Sequence, residues 1–306
     1  MRRIFHFAGL CLVATGVVTA CTTADEIIAT TAIPTAGVRF IHAVPDTGAM
    51  DMRFVDFVES NAHWGVAFRN SPIINPTGAN GVPASTLVQF KNAKAGQRNF
   101  KIFMNGTTAA VASDEVIDTT VTLVAGKNYT ALLWGYANPT GPGRPAGAPA
   151  MRLYFFEEDA ADPTTQVALR VINAHTAALD VRYYPTTGAA PGTTLALGVA
   201  SLTKSTYVTA APAQIRYNVQ PAGGGPVLFA DRIALIGAAQ VTVAPGPIEA
   251  LPGTTVAGSA VSAIVFPPSV TGTGAPQGAG SATVPNWTLP TITYVYDRRP
   301  PRAAGT

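Results

Sequence analysis

The feature that most constrains this chain is that it repeats itself. Val38-Arg39-Phe40-Ile41-His42-Ala43 recurs as Leu169-Arg170-Val171-Ile172-Asn173-Ala174. Met50-Asp51-Met52-Arg53-Phe54 recurs as Leu179-Asp180-Val181-Arg182-Tyr183, with a shorter turn before the second copy. Gly/Pro-rich segments sit at equivalent places, 138–150 and 271–290, and both copies close on a similar strand, Tyr154-Phe155-Phe156-Glu157 and Tyr294-Val295-Tyr296-Asp297. Four matches in one order point to internal duplication. The spacing is far longer than the roughly 20–50 residues of a solenoid repeat, so each copy is read as a domain. The domains fall near 38–160 and 166–306.

Within each copy the local pattern is β. Met50, Met52 and Phe54 alternate with Asp51, Arg53 and Val55, and Leu179, Val181 and Tyr183 with Asp180 and Arg182. This period of two is the signature of a half-buried strand. Further strands are expected at 86–91, 99–104, 116–124 and 129–136, the last two joined by the turn Ala125-Gly126-Lys127-Asn128. The second copy offers 204–209, 214–220, 227–236, 239–243 and 260–266, with a turn at Gly223-Gly224-Gly225. No amphipathic helix of three turns is evident. Short strands between Gly/Pro turns predict an all-β chain of two tandem immunoglobulin-like β-sandwich domains.

The N-terminus reads as an export address. Arg2 and Arg3 precede an apolar run from Ile4 to Val18, and Val18-Thr19-Ala20 leads into Cys21. The run is too short to span a bilayer, which takes roughly 20 residues, and has the flanks of a signal peptide, assigned to residues 1–20. The Val-Thr-Ala-Cys ending resembles the bacterial lipobox, which makes Cys21 the lipidated residue and 21–37 a tether. The alternative is a plain secretory signal cut after Ala20. A Thr rather than an Asp at position 22 points to the outer membrane.

Of 20 Lys and Arg, two leave with the leader, so 18 face 17 Asp and Glu. Such a balance, without clustered basic residues, predicts no nucleic-acid surface. Cys11 and Cys21 are the two cysteines. If the first is removed and the second lipidated, the mature body has no disulfide, thiolate metal site or cysteine nucleophile.

Candidate ligand contacts are few. Asp51 and Asp180 share an Asp-x-Arg pattern with Arg53 and Arg182, with Arg39 and Arg170 upstream. A solvent-face ion pair between the two strands is the favoured reading, and a ligand-contacting carboxylate the alternative. Trp134 and Tyr136 share a strand face and, with Trp64 and Trp287, make either core or a carbohydrate platform. His42, His63 and His175 lack metal-ligand spacing. Glu157-Glu158-Asp159 reads as a solvated domain edge, and the tail from Asp297 as a solvated end. No nucleophile elbow is present, and no cofactor or metal is expected.

The stretch Val38-Arg39-Phe40-Ile41-His42-Ala43-Val44-Pro45-Asp46, followed by Met50-Asp51-Met52-Arg53-Phe54, resembles the opening of the domain of unknown function 4397. That family begins with an Arg-x-x-His-x-x-Pro-Asp stretch and then an apolar-Asp-apolar strand. The second copy keeps Arg170 and Leu179-Asp180-Val181 but has Asn173 in place of the His and lacks the Pro-Asp pair. The resemblance implies exported, often lipid-anchored bacterial proteins with β-sandwich domains, frequently in tandem, and no catalytic residues. The sequence thus leads to a non-enzymatic cell-envelope lipoprotein with a structural, adhesion or partner-binding role. It would meet the membrane through its acyl anchor and a protein or glycan through its loops. A carbohydrate-binding surface module is the alternative.

Overall fold

The computed structural model describes residues 33–56, 65–66, 90–104, 113–188, 192–243, 246–270 and 288–301. The signal segment, Cys21, most of the tether, His63, Trp64, Trp287 and residues 271–287 lie outside them. Every regular element among the described residues is a strand. The first half contributes β1 (Thr35–Ala43), β2 (Met50–Phe54), β3 (Gly65–Val66), β4 (Lys91–Lys94), β5 (Gly96–Met104), β6 (Glu115–Leu123), β7 (Asn128–Trp134) and β8 (Arg152–Glu157). The second contributes β9 (Val167–Asn173), β10 (Leu179–Pro185), β11 (Thr193–Val199), β12 (Thr203–Lys204), β13 (Val208–Ala210), β14 (Ile215–Pro221) and β15 (Phe229–Ile233). The hairpin strands β16 (Val241–Val243) and β17 (Gly246–Ile248) follow, then β18 (Ala260–Phe266) and β19 (Thr291–Arg298).

The same strand order recurs in both halves. One sheet runs β4-β1-β7-β8 and its counterpart β12-β9-β18-β19, with β13 also on β9; the other sheets run β3-β2-β5-β6 and β11-β10-β14-β15. In each half the first strand pairs in parallel with the penultimate one, β1 with β7 and β9 with β18. Among the described residues, the β16–β17 hairpin has no counterpart in the first half. The 125–128 turn lies where expected, with Gly126 at a positive φ of 77°.

Alternation explains the packing. On β1, Val38 enters the first core and Phe40 packs against it, while Arg39, Ile41 and Ala43 face the other way. On β7, Tyr129, Ala131 and Leu133 fill that core, while Leu132 and Trp134 face out. Met50, Met52, Phe100 and Ile102 close it from the second sheet. Two sheets around one core make a β-sandwich. The second half repeats this: Leu169 and Val171 of β9 and Val261 and Ala263 of β18 meet Val181 of β10 and Tyr217 and Val219 of β14.

Residues from Thr35 onward form one compact unit, because the outward faces are buried too. Ile41, Leu132, Trp134 and Phe156 of the first half join Ile172, Ile264, Phe266 and Val295 of the second in a third apolar cluster. The β1 and β9 sheets therefore pack outer face to outer face, and their central strands are covered on both sides. Four sheets stack as layers, the two β1- and β9-bearing sheets innermost.

Two strand expectations change. The run 204–209 breaks into β12 and β13, because Ser205 Oγ accepts the Val171 N–H at 3.1 Å and so replaces a backbone ladder partner. Strand β11 was not anticipated; Gly198, at a φ of 60°, and register shifts along β10–β11 obscure its alternation. The expected 86–91 strand lies almost wholly outside the described residues, with Lys91 opening β4.

Candidate functional site

The polar residues shared by the two copies converge between the sandwiches. Arg39 and Arg170 are fully buried. Each sits mid-strand on the outward face, opposite a hydroxyl residue in the parallel partner: Thr130 beside Arg39, Ser262 beside Arg170. Arg39 Nε donates to Thr130 Oγ1 at 2.7 Å, and Thr130 Oγ1 donates on to Glu158 Oε1. In the other half, Arg170 Nε donates to Ser262 Oγ at 2.6 Å and Ser262 Oγ to Asp297 Oδ2 at 2.5 Å. The same relay, arginine to hydroxyl to carboxylate, is thus built twice.

The relays are cross-linked. Arg39 Nη2 lies 2.6 Å from both Glu158 Oε1 and Asp297 Oδ1, while Arg170 Nη2 pairs with Glu158 Oε2 and stands 3.4 Å from Asp297 Oδ1. Two guanidinium groups and two carboxylates close a neutral ring across the interface. Arg39 Nη1 also donates to the Tyr296 carbonyl at 3.0 Å, and Tyr207 Oη to Asp297 Oδ2 at 2.8 Å. At the rim, exposed Asp159 bridges Arg170 and Lys204, both at 3.2 Å.

Backbone geometry delivers Asp297 to this place. One step along β18, Ala260 to Val261, spans two steps along β19, Arg298 to Tyr296, so Asp297 is the extra residue of a bulge. A bulge re-aims a side chain. Here Val295 joins the interface cluster, Tyr296 turns into the second core and Asp297 turns back to the ring.

Electrostatics follow from burial and pairing. Burial opposes the charge on Arg170, but Asp297 and Glu158 outweigh it and hold the guanidinium above its ordinary value. Burial would raise Asp297, yet Arg39 and Arg170 pull its carboxyl below the usual aspartate range. The Tyr207 phenol is pushed up by burial and by Asp297. Arg170 and Asp297 are therefore held in their charged forms out of water.

Two sequence readings are corrected by this geometry. Glu158 is buried rather than a solvated edge, and Asp297 is buried rather than the start of a solvated end. Sequence reasoning found the paired arginines but not their acids, because pairing across two sheets leaves no local spacing. The one available signal was the acids' place at the ends of the matching strands Tyr154–Glu157 and Tyr294–Asp297.

The remaining motif residues hold loops. His42 is buried; its Nε2 contacts the Gly48 carbonyl at 2.9 Å and its Nδ1 receives the Val44 N–H at 3.2 Å. Burial lowers its pKa to about 4, so the ring is neutral, with Nε2 the donor. Asn173 does the same work in the second half, accepting the His175 N–H at 2.9 Å and donating to Ala177 and Val199 carbonyls at 2.8 Å. Asp46 accepts the N–H groups of Ala137 at 2.8 Å and Asn138 at 2.9 Å and pairs with buried Arg144 at 2.8 Å. It thereby pins the Gly/Pro-rich 138–150 loop.

The ligand-contact candidates are placed as follows. Trp134 is buried between the sandwiches, its Nε1 donating to the Ala174 carbonyl at 2.9 Å, and Tyr136 is buried beyond the end of β7. Gly135, at a φ of 98°, lets the chain run tight against the Ala150 backbone between them. Asp51 pairs at 2.7 Å with Arg53 of its own strand, not with the second copy. Asp180 is partly exposed and accepts the Gly198 N–H at 2.8 Å. These four are not brought together. Trp64 and Trp287 lie outside the described residues.

The family model for the domain of unknown function DUF4397 matches residues 36–184. Through this segment, just under half of its length, the chain is similar to the DUF4397 family. The matched stretch carries Arg39, His42, Asp46, Thr130, Arg144, Glu158 and Arg170, so three of the four charges of the ring fall within it. It ends in β10, ahead of Ser262 and Asp297. No curated protein matches the chain.

Proposed function

We propose that this chain is a non-enzymatic cell-envelope lipoprotein, anchored through acylated Cys21, that holds two tandem sandwich domains as one rigid body for a structural or partner-binding role. One observation carries the reading. The polar residues of the family-like opening stretch — Arg39, His42 and Asp46 — are buried and spent on holding strands and loops together. A rigid scaffold leaves recognition to loops at its surface. We read the halves as two copies of the family domain, immunoglobulin-like in class, on the repeated strand order. Thr22 favours the outer membrane as the address.

The test is metabolic labelling with an alkyne fatty acid, followed by fractionation, on the wild-type chain and Cys21→Ala. The wild type is expected to label and sediment with outer membranes. Cys21→Ala should lose the label while its sandwiches stay folded. An unlabelled, soluble wild-type protein sinks the proposal.

A further inference from the structure

We infer that the buried ring is a register lock, a device that selects one docking position of the two sandwiches out of several their apolar faces would accept. The apolar part of the interface does not select. It is contributed by sheet faces bearing Ile41, Leu132 and Trp134 on one side and Ile172, Ile264 and Phe266 on the other. Burial of such surface is non-directional, so a slide or rotation of one sheet over the other keeps most of it. The charges behave differently. Arg39 reaches Asp297 of the other half as well as Glu158 of its own, and Arg170 reaches Glu158 of the other half as well as Asp297 of its own.

Both cross-pairs close in one register only. In any other, two guanidinium groups and two carboxylates stay out of water with half their partners gone, a heavily penalised arrangement. A buried polar group that fixes register at some cost in stability is the best-attested use of such a group.

The placement of the acids strengthens the reading. Glu158 stands where β8 gives way to the 158–166 connection, so the ring grips the joint between the halves. Asp297 is delivered by a bulge in β19, and Arg39 of β1 binds both its carboxylate and the Tyr296 carbonyl. The first and last strands of the double sandwich are thereby clasped. The lock concerns this chain's own two halves, and it stands whether or not Cys21 carries lipid.

The test is a distance measurement on the full chain, with Cys11 and Cys21 replaced by serine. Spin labels go at Thr120→Cys in β6 and Thr194→Cys in β11, exposed sites in the two outermost sheets. Double electron–electron resonance is recorded for the wild-type ring, for Asp297→Asn, and for a fourfold variant (Arg39→Met, Glu158→Leu, Arg170→Met, Asp297→Leu). The fourfold variant leaves no buried charge unpaired and guards against simple failure to fold. Hydrogen exchange on β5 and β14 reports whether each sandwich is intact. The lock predicts one narrow distance with the native ring, and loss of that single peak in both variants while β5 and β14 stay protected. A narrow, unmoved distance in the fourfold variant overturns it. So does loss of β5 and β14 protection in that variant, which would make the ring a support of the sandwiches themselves.

Discussion

Arg39 in the first strand and Asp297 in the last lie 2.6 Å apart, Nη2 to Oδ1, with neither side chain exposed to solvent. An ion pair of this separation in sequence cannot form until both sandwiches exist and have docked. It reports on the whole unit, and the pH response of Asp297 follows from it.

Because Arg39 and Arg170 hold the folded carboxyl below its ordinary value, the unfolded chain takes up this proton first as pH falls. The stabilisation is complete above about pH 4 and drains away below it. Resistance of the wild type to urea should therefore fall on acidification below about pH 4. Asp297→Asn should cost about 3–5 kcal/mol at pH 7, the usual penalty for stripping one partner from a buried pair. It should also flatten the acid slope. A variant that keeps the full slope would place the acid response elsewhere.

His42 gives a second pH signature at higher pH. Its folded pKa of about 4 lies below the ordinary histidine value of 6.5, so the stability tied to its neutral form is complete above about 6.5 and lost as pH falls toward 4. That window corresponds to about 3 kcal/mol at most. His42→Asn places here the side chain that serves in the second copy, so it should remove the slope between pH 6.5 and 4. Denaturation midpoints measured across that range decide the matter.

Asp46→Ala removes the carboxylate that pins the 138–150 loop and takes the ion-pair partner from the buried Arg144 side chain. The cost should be about 3–5 kcal/mol if the loop cannot carry Arg144 to water, and less if it can. In either case the amides of Ala137 and Asn138 lose their acceptor. Hydrogen exchange should speed up at these two positions while amides in β10 and β14 hold. Unchanged exchange at Ala137 and Asn138 would remove Asp46 from this role.

Trp134→Phe tests the interface without touching the buried ring of charges. It deletes the indole N–H that the Ala174 carbonyl accepts across the boundary. An orphaned buried acceptor costs about 1–3 kcal/mol. The loss should appear as a lowered denaturation midpoint with both sandwiches still formed. No change in midpoint would mean that Ala174 finds another donor.

The reach of the sequence is clearest at particular residues. Val261, Ala263 and Val265 sit in a strand matching the expected 260–266, and Phe100 and Ile102 in the expected 99–104, because an apolar run or an alternation is a local property. Arg39 and Arg170 stood out as a repeated pair for the same reason. Their surroundings did not, since an arginine between apolar neighbours fits a solvent-facing row as well as a buried one. Trp134 was open to both a core and a platform reading until its partner, Ala174 of the other half, was in place.

By itself the sequence determined the strand alternation and the all-β class, each written in short-range spacing. It also carries the Cys21 motif, which lies outside the described residues. Only the tertiary structure decided that Glu158 and Asp297 are interior, that the inner sheets are covered on both faces, and that the halves form one compact unit. Those outcomes depend on which surfaces meet, and a charge is held out of water only when opposite charges from distant strands arrive at the same point.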